Sequence, residues 1–356
     1  MQNELIFFDD DNAPSEEARR WMVDPTNPGS PFSKFIGNEQ AVRRLAIAAY
    51  SALGKPNHVC SDQNFALLGP ASAGKTMLTK LFSSLLGLPF LEVSPGSVAD
   101  LKSLLHKISE TLNAFGDGHL ALVPEDKNIT IPPMVVFIDE VHALKDSVIQ
   151  GLLKATEKSD GVMDTGEWIV DCKNVCWIIA TTDRGLLFDA FDTRFTRLDL
   201  ELYTAEQVTQ MVQIQNPDWN DQVCKLVALY GGRLPREVKA FAKEMRLAQE
   251  MSKADWISVA HQVARDQNID EFGMTNKRLL VLKALSKGPV ATKRLPAAVG
   301  VKIEELDKFI LPALLSRTAD QPPMITIQTK GYMLTDAGLA ELEKRSIKHG
   351  GRMVTM

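Results

Sequence analysis

The stretch whose reading decides the fold is "NFALLGPASAGKTMLTKLFSSLL", residues 64–86. Its first five residues are almost wholly apolar, as in a short strand buried on both faces. Its last twelve carry apolar residues at helical spacing. Between them Gly69, Pro70, Ala71, Ser72, Ala73, Gly74, Lys75 and Thr76 satisfy G-x-x-x-x-G-K-[ST], in the strand–loop–helix setting that gives this pattern its meaning. Backbone N–H groups of such a loop, with a helix N-terminus behind them, form a cradle for phosphate. Lys75 then reaches the β- and γ-phosphates and the Thr76 hydroxyl holds Mg²⁺, so ATP with Mg²⁺ is the expected ligand.

The same kind of run recurs as "PFLEVSP" (89–95), "MVVFIDE" (134–140) and "VCWIIATT" (175–182), each followed by a helix-like segment. This alternation predicts an α/β domain, a parallel sheet with helices on both faces. Asp139 and Glu140 close an apolar strand, where paired carboxylates are costly unless they have a partner. Asp139 is assigned to Mg²⁺, usually through water, and Glu140 to polarising the water that attacks the γ-phosphate. At the end of the next strand Thr182, with Thr181 as the alternative, offers a hydroxyl to sense that phosphate or fix the water. A different question is raised by "FDAFDTRFTRLDLEL" (188–202), where Arg194 and Arg197 sit beside phenylalanines. Either they make surface ion pairs or they serve something elsewhere.

The 356 residues have room for two or three domains, and 45% hydrophobic with 24% charged residues is ordinary for a globular protein. No apolar run approaches transmembrane length, and the start of the chain lacks the marks of a signal peptide, so no membrane association and a cytoplasmic location are expected. Four scattered cysteines argue for reduced thiols rather than a zinc site. The net charge is −5, but residues 271–356 hold 14 Lys+Arg against 8 Asp+Glu, net +6, leaving −11 on the rest. A basic module on an acidic body points to nucleic-acid contact at one end.

The expected order is a flexible acidic leader (1–31), the large α/β domain (32–202), a small all-α domain (203–270), a basic module (271–345) and a tail (346–356). The basic module reads as three helical segments followed by "MITIQTKGYMLT", a hairpin pattern, which is the layout of a winged helix.

Taken in order, "PFSKFIGNEQAV", "GPASAGKT", "VVFIDEVHAL", "IIATTDRG", "DTRF" and "GGRLPREVKAF" resemble the AAA+ ATPases. Their succession, with the trailing winged helix, is similar to the RuvB family of Holliday-junction branch-migration motors over roughly residues 32–340. The resemblance implies a P-loop AAA+ fold with a small helical lid, and a segment through Ile36 and Gly37 lying over adenine. It implies that Arg194 enters the ATP site of the next subunit, and that Pro235 and Arg236 meet the nucleotide in cis. It further implies a homo-oligomeric ring, expected as a hexamer, that hydrolyses ATP to drive branched or duplex DNA in recombination and repair. A RuvA-like junction-binding protein is the implied partner. The alternative is an AAA+ nucleotide switch or clamp-loader-like assembly factor in replication that does not translocate.

Three departures stand out. Ser72 replaces a usual glycine of the phosphate loop; residues 114–133 look inserted; and residues 161–175 occupy the place of a partner-docking hairpin, with Trp168 and Ile169 as anchor or as core. In the winged helix the third helix, "IEELDKFILPALL", opens with Glu304, Glu305 and Asp307, which repel phosphate. DNA contact is therefore expected at the wing, through Thr329, Lys330 and Tyr332, with Lys293, Arg294 and Lys302 on the backbone.

Overall fold

The apolar runs assemble into one parallel sheet. Its strands are β1 (Asn64–Leu68), β2 (Phe90–Val93), β4 (Met134–Ile138), β7 (Val175–Thr181) and β8 (Phe195–Asp199), in the order β2-β4-β7-β1-β8. The structure, a computed structural model, describes residues 14–58, 63–115, 120, 122, 127–157, 160–182, 191, 193–315, 322–329 and 331–348. The chain forms two compact units that divide between Glu201 and Leu202.

Both faces of the first unit's sheet are covered, which is why its strands read as continuous apolar runs. Alternate residues divide between two cores. Met134, Val136, Ile138, Val175, Trp177 and Ile179 pack with helices α4 (Leu101–Phe115) and α5 (Asp146–Ala155). Val135, Phe137, Ile178 and Ala180 pack with α2 (Glu39–Leu53) and α3 (Lys75–Leu86).

The second half of the expected leader is regular. Helix α1 (Glu16–Val23) is capped by the Ser15 hydroxyl, which accepts from Ala18 N–H, and it buries Met22; Phe32 is fully buried beyond it. The acidic composition concealed these anchors. Residues 1–13 and 349–356 lie outside the described residues.

The two departures of the large domain meet each other. Within residues 161–175, β5 (Val162–Asp164) and β6 (Ile169–Asp171) form an antiparallel hairpin. Beyond it β3 (Asn128–Thr130), from the inserted stretch, pairs in parallel with β6. Trp168 is 4% exposed, with the Lys102 ammonium 5.4 Å from its ring, so it is core; Ile169 is 48% exposed. Residues 116–119, 121 and 123–126 of the insertion lie outside the described residues.

The second unit begins with four helices, Ala205–Gln215, Asp221–Tyr230, Pro235–Ser252 and Trp256–Asp266, around a core that includes Val227, Phe241 and Met245. Helices Asn276–Leu285 and Leu295–Val299, a third helical run from Ile303 to Leu315 and the hairpin β9 (Ile325–Gln328)–β10 (Gly331–Leu334) enclose another core. Inside this unit Arg278, itself buried, pairs with Glu237 at 2.5 Å, and Arg345 donates to Asp270 at 2.7 Å. The third helical run is not one regular helix. Leu306–Ile310 is a π segment, closed by Leu311 N–H on the Leu306 carbonyl. Pro312 explains it: proline has no N–H to give to the carbonyl four residues back and its ring crowds that turn.

Among the described residues no helix is long and apolar enough to cross a membrane. Cys172, Cys176 and Cys224 are buried and not in disulfides, and burial pushes the Cys172 thiol up to about 12.

Candidate nucleotide site

The phosphate loop leaves the end of β1, which lies between β7 and edge strand β8. Gly69 N–H donates to the Thr181 carbonyl at 3.2 Å, continuing the β1–β7 pairing. A Cβ on Gly69 would stand 2.4 Å from the Leu200 carbonyl oxygen, so only glycine fits where the loop passes the end of β8. Gly74 takes φ +91 just before α3, a conformation that suits glycine. Ser72 takes φ +66 without that freedom. A left-handed residue with a side chain costs about 1–2 kcal/mol, so the missing glycine is a local strain within the cradle. Pro70, Ala71 and Ala73 complete the loop, and Ala73 is fully buried.

Lys75 is 7% exposed and its Nζ donates to the Gly69 carbonyl at 2.7 Å and the Pro70 carbonyl at 3.0 Å. Burial lowers its pKa, while Glu140 and Asp139 act against that shift. Thr76 follows in the first turn of α3. Across the sheet Asp139 continues β4, its N–H on the Val93 carbonyl at 2.9 Å. Burial raises its carboxyl pKa, and the Glu140 carboxylate raises it further. A carboxylate so desolvated and repelled gains from a nearby cation, which fits the Mg²⁺ role expected of Asp139 with Thr76.

Glu140 sits at φ +46, ψ +50, left-handed for a residue with a full side chain. Its Oε2 accepts from Thr182 N–H at 3.1 Å and from the Thr182 hydroxyl at 3.0 Å. Thr182, not Thr181, therefore touches the expected water-activating carboxylate. Thr181 is fully buried and its hydroxyl lies 2.7 Å from His142 Nδ1.

Ile36 and Gly37 precede α2, half-buried and buried respectively. The next residue, Asn38, was missed in the sequence. Its side chain accepts from Glu201 N–H at 2.7 Å and donates to the Glu201 carbonyl at 3.2 Å and the Ala73 carbonyl at 3.5 Å. It thus ties this segment to the end of the sheet and to the loop. An asparagine after glycine, immediately ahead of a helix, was the available signal.

Arg194 lies in the turn before β8 and pairs with Glu157 of its own chain. Arg197, on edge strand β8, stands 3.5 Å from Asp199. In the second unit Pro235 opens its helix at N1 and Arg236 is exposed in the same first turn.

Of the residues expected to meet DNA, Lys293, Arg294, Lys302 and Thr329 are exposed. Lys330 lies outside the described residues. Tyr332 requires a correction. It is 7% exposed and packs with Leu295, Leu311 and Ile325. Its backbone exchanges both hydrogen bonds with Val290, so β10 is held on two sides and the ring points inward. Burial raises its phenol pKa. The ring is part of the module's core.

Comparison with known proteins agrees with this geometry. Residues 65–205 match the ATPase family associated with various cellular activities (AAA). This part of the chain is similar to that family, and it carries the G-x-x-x-x-G-K-[ST] loop and the Asp–Glu strand end on one parallel sheet. Over 87% of its length the chain shares the fold of RuvB structures. Thermotoga maritima RuvB, described as a Holliday junction branch migration motor, superposes with TM-score 0.67 at 23% identity, covering 87% of this chain and 95% of that one. Two single-site mutants of the same protein superpose with TM-score 0.68 at 22% identity, with the same share of this chain and 95% or 96% of theirs.

Proposed function

We propose that this protein is an ATP-driven DNA motor of RuvB type that works as a ring, expected as a hexamer, and drives branch migration of Holliday junctions. The observation that carries the reading is the convergence of Lys75, Asp139, Glu140 and Thr182 at the head of one sheet, in a chain that shares RuvB's fold over 87% of its length.

The phosphates of ATP lie on the backbone N–H groups of residues 69–76 and on the N-terminus of α3. Lys75 exchanges two loop carbonyls for phosphate oxygens. Glu140 takes the proton of the attacking water, with Thr182 holding its carboxylate in place. Thr76 and Asp139 would hold Mg²⁺, which would supply neutralisation of the phosphate charge. Arg194 acts across the seam between protomers, exchanging Glu157 for the neighbour's γ-phosphate, a contribution of about 10³–10⁵ in rate. Ile36 and Gly37 border the adenine, and Pro235 with Arg236 report the nucleotide to the helices that follow. Residues 271–345 act as a winged helix whose Lys293, Arg294, Lys302, Thr329 and Lys330 grip phosphates, which holds DNA of any sequence. The 161–175 hairpin, with Ile169 exposed, receives a RuvA-like junction-binding partner.

The test is subunit mixing. Arg194→Ala, with an intact cradle, and Lys75→Ala, with an intact finger, are each expected to lose ATP hydrolysis; mixed, they regain a fraction of it, because some seams then join both intact parts. Separation of a synthetic four-way junction must follow the same pattern. Hydrolysis by Arg194→Ala alone defeats the trans arrangement, and strong hydrolysis with no strand movement defeats the motor in favour of a nucleotide switch.

A further inference from the structure

The strand end after Asp139 holds a histidine for which the reading above has no use. His142 belongs to the short 3-10 turn Val141–Ala143 that Glu140 opens. Its Nδ1 lies 2.7 Å from the Thr181 hydroxyl and 3.4 Å from Glu140 Oε2. Thr181 is fully buried, and its carbonyl accepts from Gly69 N–H, the first residue of the phosphate loop. One connected path therefore runs from the loop through Thr181 and His142 to Glu140, and Thr182 closes it from the other side.

The direction of these contacts matters. Among the described residues, both Thr182 donors and the histidine ring fall on the same carboxylate oxygen, Oε2. This sets the plane of the carboxylate and leaves Oε1 as the oxygen to face a water. Glu140 needs such restraint. Its backbone is in a left-handed conformation that costs about 1–3 kcal/mol, held only where the surroundings over-determine it. Its side chain is partly exposed, so without partners several rotamers are open to it.

We propose that His142 is a positioning residue for ATP hydrolysis: anchored by the Thr181 hydroxyl, it holds the Glu140 carboxylate in the orientation that activates water. With its proton on Nδ1 the ring donates to the Thr181 hydroxyl, and its polar N–H edge stands 3.4 Å from Glu140 Oε2. The anchoring hydroxyl belongs to the residue whose backbone carbonyl accepts from Gly69 N–H, so the placement of the loop and the aim of the base are linked through one residue. This inference rests on the hydrolytic role given to Glu140.

His142→Phe keeps the ring's bulk and removes its nitrogens; His142→Asn restores a donor near the position of Nδ1. The full-length protein is assayed for kcat, KM and affinity for a fluorescent ATP analogue, with thermal melting as a control. The expected result for His142→Phe is a fall in kcat of roughly 10- to 100-fold, less than the ~10²–10⁴ supplied by a general base, with KM and analogue affinity within about twofold. His142→Asn recovers most of the loss. Thr181→Val, which removes only the anchoring hydroxyl, lowers kcat in the same sense. In a Glu140→Gln background His142→Phe changes the residual rate by less than about twofold, since there is no base left to position.

An unchanged kcat in His142→Phe, an equal loss in both backgrounds, or no recovery in His142→Asn overturns the proposal. Should Glu140→Gln itself hydrolyse ATP at the wild-type rate, it is the role of Glu140 that fails, a result distinct from any of these.

Discussion

The head of the first unit's sheet and the hairpin end of the second unit treat polar groups in opposite ways. At the sheet, polar groups are drawn inward and tied: Lys75 is nearly buried, Thr181 fully so, and Glu140 is held by both donors of Thr182. At the hairpin end, Lys293, Arg294 and Lys302 stay exposed, while the aromatic residue of the turn region, Tyr332, goes into the core. Chemistry on one phosphoryl group needs fixed geometry, so it calls for particular residues at particular spacings. Gripping a polyanion of any sequence needs only charge on a surface, and many arrangements serve.

The contrast can be broken most forcefully at Tyr332. Tyr332→Ala is expected to destabilise the protein by about 3 kcal/mol, as loss of a buried aromatic ring does, while Tyr332→Phe stays close to wild type. Urea denaturation checks this; unaltered stability with weakened DNA binding would return Tyr332 to the wing surface. The exposed cations provide the converse. Replacing Lys293, Arg294 and Lys302 together by alanine should leave the melting temperature in place. It should flatten the slope of log K against log salt for duplex DNA by about 3, roughly one per lost phosphate contact.

The smallest expected effect concerns the Asp139 carboxyl at the sheet. The raised pKa of Asp139 means that the folded state holds its proton more tightly than the unfolded chain does. Its favourable contribution is complete below the ordinary value of 3.8 and is lost as pH rises through the raised one. Asp139→Asn should therefore be more stable than wild type by about 1 kcal/mol above neutral pH, in the absence of nucleotide and metal, and no more stable under acid conditions. Denaturant midpoints at the two pH values measure the difference; a gain of equal size at both would separate it from the charge.

Much of the first unit was legible because its cause is local. Phosphate-loop residues 69–76, the strand ending in Asp139 and Glu140, and the hydroxyls of Thr181 and Thr182 lie on contiguous runs whose spacing states their placement. Helix α1 was hidden inside acidic composition, since one serine cap and one buried methionine make a weak pattern. Tyr332 was misplaced for a related reason: alternation shows that a strand has two faces but not which of them is covered, and Val290 is forty-two residues away in the chain.

The sequence alone determined the alternation of strand and helix, the glycine-containing loop between β1 and α3 and the carboxylates at the end of β4, because backbone conformation and apolar period depend on near neighbours. Only the tertiary structure decided that Thr182 holds Glu140, that His142 reaches both Glu140 and buried Thr181, and that Asn38 bridges to Glu201 and the loop. It also placed Trp168 and Tyr332 in cores. Those outcomes depend on which distant segments share a hydrogen bond or exclude water, and adjacency across a sheet is created by folding.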